Sequence, residues 1–231
     1  MPVRLVAMRF DAIDPDAAAA FWSALLERPT QHDGDEVLLP AVGTQVGLRF
    51  VAAEVSRTGP HRVHLHLTST SLADQRATVA AALALGAEHL DVGQLPEEEH
   101  VVLADPDGNE LCVIEPGEPY LAGCGFLAEL TGEGSREVGL FWQAALDWPL
   151  VWDKGLQTVV QSPEGGTKIA WDGEPDELPY SDRKHGFDLA ADDPAAEATR
   201  LIALGAREMA GEDGVVHLAD PDGNAIRISR G

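Results

Sequence analysis

Ala104-Asp105-Pro106-Asp107-Gly108-Asn109 recurs letter for letter as Ala219-Asp220-Pro221-Asp222-Gly223-Asn224, 115 residues further on. The hexapeptide has turn chemistry: proline presets φ, aspartate bonds local amides and glycine accepts positive φ. Apolar runs flank each copy, Val101–Ala104 with Leu111–Ile114 and Val215–Ala219 with Ala225–Ser229. Each copy therefore predicts a β-hairpin. A twelve-residue calcium loop would put Leu103 at its first ligand position and Ile114 at its last, which excludes that use of the acids.

Working outward, Ala84-Leu85-Gly86-Ala87 returns as Ala203-Leu204-Gly205-Ala206 and Phe21-Trp22 as Phe141-Trp142, at offsets of 119 and 120. Three markers in one order at nearly one offset identify a tandem duplication. Glu115-Pro116-Gly117-Glu118-Pro119 breaks regular structure between the copies, so the domains are expected over 1–117 and 118–231. Residues 1–118 hold 7 basic and 19 acidic residues and 119–231 hold 9 and 20. The two halves thus share one character, and neither is an acidic tail.

Each half reads as strand–helix–strands twice. Strands are expected over Arg4–Phe10, Val37–Leu39, Val46–Val51 and Val63–Leu67. A helix capped by Asp14-Pro15 runs to Leu26, and a second opens at the capping box Ser71–Asp74 and stops at Gly86. The second half offers strands over Phe126–Leu130, Leu150–Trp152, Leu156–Gln161, Lys168–Trp171 and Gly186–Leu189. Its helices span Arg136–Leu146 and a segment capped by Asp193-Pro194 that ends at Gly205.

The formal charge of −23 over 231 residues, with no concentrated Lys or Arg, opposes nucleic-acid binding and attraction to an anionic membrane. No signal peptide is visible at Met1–Leu5, and Val79–Ala87 is too short to span a bilayer. Two cysteines, Cys112 and Cys124, make no disulfide scaffold, so a cytoplasmic protein with reduced thiols is expected.

Phe-Trp in the first helix, Val63-His64-Leu65-His66-Leu67, Leu85-Gly86-Ala87 and the DPDGN hairpin, in this order and twice, resemble the vicinal oxygen chelate superfamily. That superfamily contains glyoxalase I, bleomycin-resistance proteins and extradiol dioxygenases. The resemblance, greatest toward its glyoxalase-like domains, covers both halves. It implies an α+β protein of four βαβββ units forming two tandem domains, each an incomplete barrel around a cleft, one per half. Metal-dependent members carry a histidine opening the fifth strand and a glutamate four residues after the glycine of the DP-x-G turn. His64 matches the first position, but Cys112 stands at the second, and the first strand offers Ala7, Met8 and Arg9. In the second half Gly186 and Arg227 hold these positions, with Leu127, Ala128 and Glu129 on the first strand. A guanidinium donates no lone pair to a cation.

His64 and His66 share one strand face because side chains alternate. They read as a metal pair, an acid–base pair or plain pocket-lining groups. With Cys112 they would make a soft His/Cys set suited to zinc. Cys112 reads otherwise as a packed thiol or a nucleophile that would need a base. Trp148, Trp152 and Trp171 cluster in the second half, where aromatic walls suit an apolar or planar molecule. Phe21 and Phe141 read as core, with Trp22 and Trp142 toward its edge. Asp188 and Arg227 would pair, or Arg227 would anchor a carboxylate. The acid runs Glu97-Glu98-Glu99 and Asp172–Glu177 read as solvated loops, the second also as a gate to a cleft.

The leading expectation is a protein that binds a metabolite or natural product through His64, His66, Cys112, Trp152, Trp171, Asp188 or Arg227, without the conventional metal. The rival is a glyoxalase-type lyase or isomerase, or a dioxygenase-related enzyme, using a divalent metal on His64. A small molecule is the expected partner, and a homodimer is left open. A third reading makes the second half mainly a scaffold.

Overall fold

The repeated markers bind each other. Trp22 donates its indole N–H to Asp105 Oδ2 at 2.8 Å, and Trp142 donates to Asp220 Oδ2 at 3.0 Å. Asp105 also accepts from the backbone N–H of Asp107 and Asn109 and from the Asn109 amide. Asp220 repeats all three bonds with Asp222 and Asn224. Gly108 and Gly223 take φ of 87° and 96°, the left-handed conformation that glycine adopts without strain. The hexapeptide is thus a structural turn whose buried carboxylate is fully bonded. Both tryptophans lie wholly inside at 0% exposure, not toward the core edge as expected, because the buried aspartates supply their N–H groups with acceptors.

The computed structural model describes residues 3–53, 62–95, 97–173, 185–211 and 214–231. Unit one comprises β1 (Arg4–Ala12), α1 (Pro15–Leu26), β2 (Gln31–Asp33), β3 (Glu36–Leu39) and β4 (Gly47–Ala52). Unit two comprises β5 (Val63–Leu67), α2 (Leu72–Ala84), β6 (Glu88–His89), β7 (Val101–Ala104) and β8 (Glu110–Val113). A linker with one short 3-10 turn, Pro119–Leu121, leads to unit three. That unit comprises β9 (Leu127–Gly132), α3 (Arg136–Leu146), β10 (Leu150–Lys154), β11 (Gln157–Gln161) and β12 (Lys168–Trp171). Unit four comprises β13 (His185–Ala191), α4 (Pro194–Ala203), β14 (Arg207–Glu208), β15 (Val216–Ala219) and β16 (Ala225–Arg230).

The helix ends follow their capping residues. Asp14 and Asp193 accept from the amides of Ala17 and Ala196. Ser71 Oγ accepts from Asp74 N, while Asp74 reaches back to Thr70 N. Gly86 and Gly205 end the second helix of each half at φ of 104° and 116°. Among the described residues, no helix is long and apolar enough to cross a membrane.

Strand pairing crosses the seam. Units one and four form one eight-stranded sheet, β14-β15-β16-β13-β1-β4-β3-β2, hereafter the outer-unit sheet. Units two and three form the other, β10-β11-β12-β9-β5-β8-β7-β6, the inner-unit sheet. The junctions are antiparallel pairings of β1 with β13 and of β5 with β9. Four βαβββ units are present as expected, and neither sheet closes into a barrel. The expected cleft within each half is replaced by sheets that each take one unit from 1–117 and one from 118–231. Trp22 to Asp105 and Trp142 to Asp220 clamp the two units of one half through helix and turn, while the edges of β1 and β5 are paired by β13 and β9 of the other half.

Alternation divides each strand between two environments. On β8, Leu111 and Val113 enter the main core with Trp22, Trp142, Phe10, Phe50 and Phe187. Cys112 and Ile114 face the other way, into a small apolar cluster with Val102, Leu121, Cys124 and Ala128. Leu121 and Cys124 come from the linker, which therefore covers part of the inner-unit sheet's concave face.

Candidate functional site

On β5, Val63, Leu65 and Leu67 are buried in the main core, leaving His64 and His66 together on the concave face. Their Nε2 atoms are 3.0 Å apart. His66 pairs in register with Cys112 on β8 and with Glu129 on β9. Its Nδ1 lies 3.0 Å from Glu129 Oε2, and the Cys112 thiol is a further hydrogen-bond neighbour. A carboxylate acceptor puts a proton on Nδ1, and a 3.0 Å contact between two ring nitrogens requires a proton between them. Burial disfavours charge on both rings. At His66 the bonds to Cys112 and Glu129 overcome burial and hold the pKa up at about 9. Burial, then the charges of His66 and His100, push His64 down to about 3. Positive charge on this pair is therefore favoured on His66 over His64.

A cleft of about 300 Å³ opens beside this chain, lined among others by His66, Tyr120, Glu129, Thr131, Trp152 and Trp171. Tyr120, on the linker, meets the Trp152 ring edge-to-face at 5.9 Å. Burial and the adjacent Glu129 carboxylate push the Tyr120 hydroxyl pKa up. Lys168, opposite Glu129 on β12, donates to the Tyr120 carbonyl and lies 4.7 Å from the Tyr120 ring centroid.

His64, His66 and Cys112 offer ligand atoms within 4.8 Å of one another. Two imidazole nitrogens on a tetrahedral zinc would stand about 3.3 Å apart, given Zn–N bonds near 2.0–2.1 Å. The donor set thus fits a soft divalent cation with an open fourth position, and Glu129 behind His66 is the carboxylate that often supports a ligating histidine. It differs from the glutamate-containing set of metal-dependent relatives, since Cys112 stands in place of the glutamate.

The outer-unit sheet repeats the register with different chemistry. Asp188 on β13 pairs with Arg227 on β16, as His66 does with Cys112. Arg227 bonds both Asp188 oxygens at 3.1 and 2.8 Å and both Glu36 oxygens at 2.5 and 2.9 Å. Arg49 reaches Asp188 at 2.7 Å, Glu36 at 2.8 Å and Asp33 at 2.9 Å. Although burial would raise the Glu36 pKa, Arg227 and Arg49 hold it below the usual carboxylate range. Asp188 and Arg227 thus pair in a network across this concave face.

The structure brings His64, His66 and Cys112 together on the inner-unit sheet and sets His66 and Trp152 in one cleft, while Trp171, 1% exposed, borders that cleft from the main core, where its ring packs on Phe187. Asp188 and Arg227 lie in the other sheet, and Trp148 packs against the main core. Sequence reasoning did not place Glu129 or Tyr120 in the site. The available signal was a lone carboxylate in the otherwise apolar run Leu127–Leu130, but its neighbours come from the other half. Of the acid runs, Glu98 caps the adjacent Leu95 amide. Asp172 lines the cleft, while Glu174–Glu177 lie outside the described residues.

No curated protein matches the chain. Among solved structures, glyoxalase I from Zea mays superposes with a TM-score of 0.69 at 12% identity, covering 99% of this chain and 92% of that one. A V278E mutant of the maize protein gives 0.69 at 14%, with the same coverage. A putative dioxygenase from Bacillus subtilis gives 0.60 at 12%, over 100% of this chain and 85% of that one. These likenesses establish the fold. The family model for the glyoxalase-like domain matches residues 7–114 and again 132–229, so the chain belongs to the glyoxalase-like domain family, with two copies in tandem.

Proposed function

We propose that the chain is a small-molecule binding protein whose working cleft lies on the inner-unit sheet and operates without a metal. One observation carries the reading: the two concave faces share a register but differ in occupancy. Ion pairs among Asp188, Arg227, Glu36 and Arg49 cross the outer-unit face. The inner-unit face retains an aromatic-walled cleft of about 300 Å³, the low end of the size range for ligand pockets. The His64–His66–Glu129 chain supports the metal-free state, because each contact is satisfied by protons alone.

The test is a thermal-shift panel of metabolites and natural products on metal-free protein. A ligand that raises the melting temperature and loses its effect in Trp152→Ala is expected. A broad panel with no shift would overturn the reading.

The three-donor set favours a second reading, a glyoxalase-type lyase or isomerase. A divalent ion held by His64, His66 and Cys112 would act as a Lewis acid toward a substrate carbonyl. His66 would then be oriented by Glu129, with the aromatic walls holding the substrate. Stoichiometric metal in protein prepared without a histidine tag, lost in His64→Ala, is the result this reading requires.

A further inference from the structure

The linker that crosses the concave face is pinned at its two feet. The end of β5 holds both: Ile114 N donates to Leu67 O at 2.8 Å, Thr68 N to Phe126 O at 3.0 Å and Thr68 Oγ1 to Gly125 O at 2.8 Å. Gln45 from unit one grips the second foot, donating to the Cys124 and Leu127 carbonyls and accepting from Leu127 N. Residues 115–125 thus form an Ω-type loop, closed at the neck with its body laid over the sheet.

The body is attached more lightly than the feet. Tyr120 N donates to Glu118 Oε1, Leu121 N to Glu118 O and Ala122 N to Pro119 O, all within the loop. Contact with the sheet is made by two residues of the turn. The Tyr120 hydroxyl is a hydrogen-bond neighbour of Glu129, its ring meets Trp152 edge-to-face and its carbonyl accepts from Lys168. Leu121 sits in the small apolar cluster with Cys112 and Cys124, apart from the main core. Gly117 and Gly123 flank the turn at φ of 90° and 77°, and a side chain at either would meet nothing within 4 Å.

The turn also divides two hollows. Tyr120 and Leu121 line the cleft of about 300 Å³, while Gly117, Pro119 and Ala122 line a second hollow of about 330 Å³. Ile114, Glu115 and Glu118 border both. Swinging the turn outward about its glycines would join the hollows and uncover Cys112 and Cys124, which are 5% and 1% exposed. That movement disrupts the small cluster only, and segments with few apolar contacts open at less cost than a core.

We propose that residues 115–125 are a lid on the cleft, latched by Tyr120 on Glu129 and Trp152 and hinged at Gly117 and Gly123, which opens locally to admit the ligand. The inference rests on the cleft being a ligand site and adds how that site is gated.

The two native thiols report the opening. Iodoacetamide labelling of the full-length, metal-free protein is followed by mass spectrometry, each rate being taken relative to the urea-unfolded chain. Cys112 and Cys124 are expected to react together, at rates that low urea leaves nearly constant, because local opening exposes little surface. Tyr120→Phe should speed both about ten-fold, the worth of one hydrogen bond to a carboxylate, and Leu121→Ala should act in the same direction. Trp142→Phe weakens a clamp in the main core, so it should lower the melting temperature and leave both rates within about two-fold. Labelling that climbs with urea as steeply as global unfolding would overturn the lid. Rates that follow Trp142→Phe and ignore Tyr120→Phe would do the same. Labelling needs no ligand, so local opening supports the lid whatever the thermal-shift panel yields, and failure of the ligand-binding reading is seen separately.

Discussion

At the residue scale, identical backbone positions carry opposite chemistry. Arg227 and Cys112 occupy equivalent places on β16 and β8, and Asp188 and His66 equivalent places on β13 and β5. Arg227 has 18% side-chain exposure and two carboxylate partners at 7% and 21%. Arg227→Met should therefore cost about 1–3 kcal/mol, because it removes the bidentate partner of both Asp188 and Glu36 and leaves Arg49 as the cation they share. Urea unfolding measures this, and a cost below about 0.5 kcal/mol would mean that the network is only a surface feature. The same network sets an acid limit. Glu36 titrates below its ordinary value in the folded chain, so its stabilisation is complete above the unfolded pKa of about 4.5 and fades as pH falls through the lower folded value. Melting temperature should fall on acidification below that point. Glu36→Gln should flatten this part of the profile.

At the element scale, two short motifs that look independent in sequence are one device. Each Phe-Trp helix is bonded through its indole to the DPDGN turn of the same half. Trp22→Phe keeps the ring but removes the N–H, leaving a buried Asp105 oxygen short of a donor. A loss of about 1–3 kcal/mol is expected, and the same from Trp142→Phe. The two losses should add in the double variant, since the clamps belong to different halves. Helix boundaries and hairpins were legible at this scale because their causes are local: Asp14 and Asp193 cap within three residues, and Gly86 and Gly205 supply positive φ. The two-residue strands β6 and β14 were not legible, since so short a run has no period.

At the scale of the whole molecule, β1 and β5 each take a neighbour from the other half. Residues 1–117 alone would expose both strands along the edges that β13 and β9 cover. That fragment should self-associate or aggregate, whereas co-expression with residues 118–231 should restore one soluble species of full-length mass. Light scattering decides, and a folded, non-associating 1–117 monomer would contradict the crossed pairing. The cleft obeys the same logic. Its lining takes His66, His100, Ile114 and Glu115 from before the seam and Tyr120, Glu129, Thr131 and Trp152 from after it, so neither half alone holds the proposed ligand site.

Duplication, the four βαβββ units, the capped helices, the DPDGN hairpins and the shared face of His64 and His66 were determined by the sequence, because each depends on residues within a few positions or on exact repetition. The partner of each central strand was decided only in three dimensions. Apolar alternation on β5 reads the same whether its neighbour is β1 or β9, and no local signal distinguishes those edges. Glu129 therefore belonged to the second half on paper and to His66 in the fold. That one pairing turns a pair of histidines into a bonded chain on the wall of a cleft, while its counterpart, β1 with β13, joins Arg49 and Glu36 to Asp188 and Arg227 in an ion-pair network.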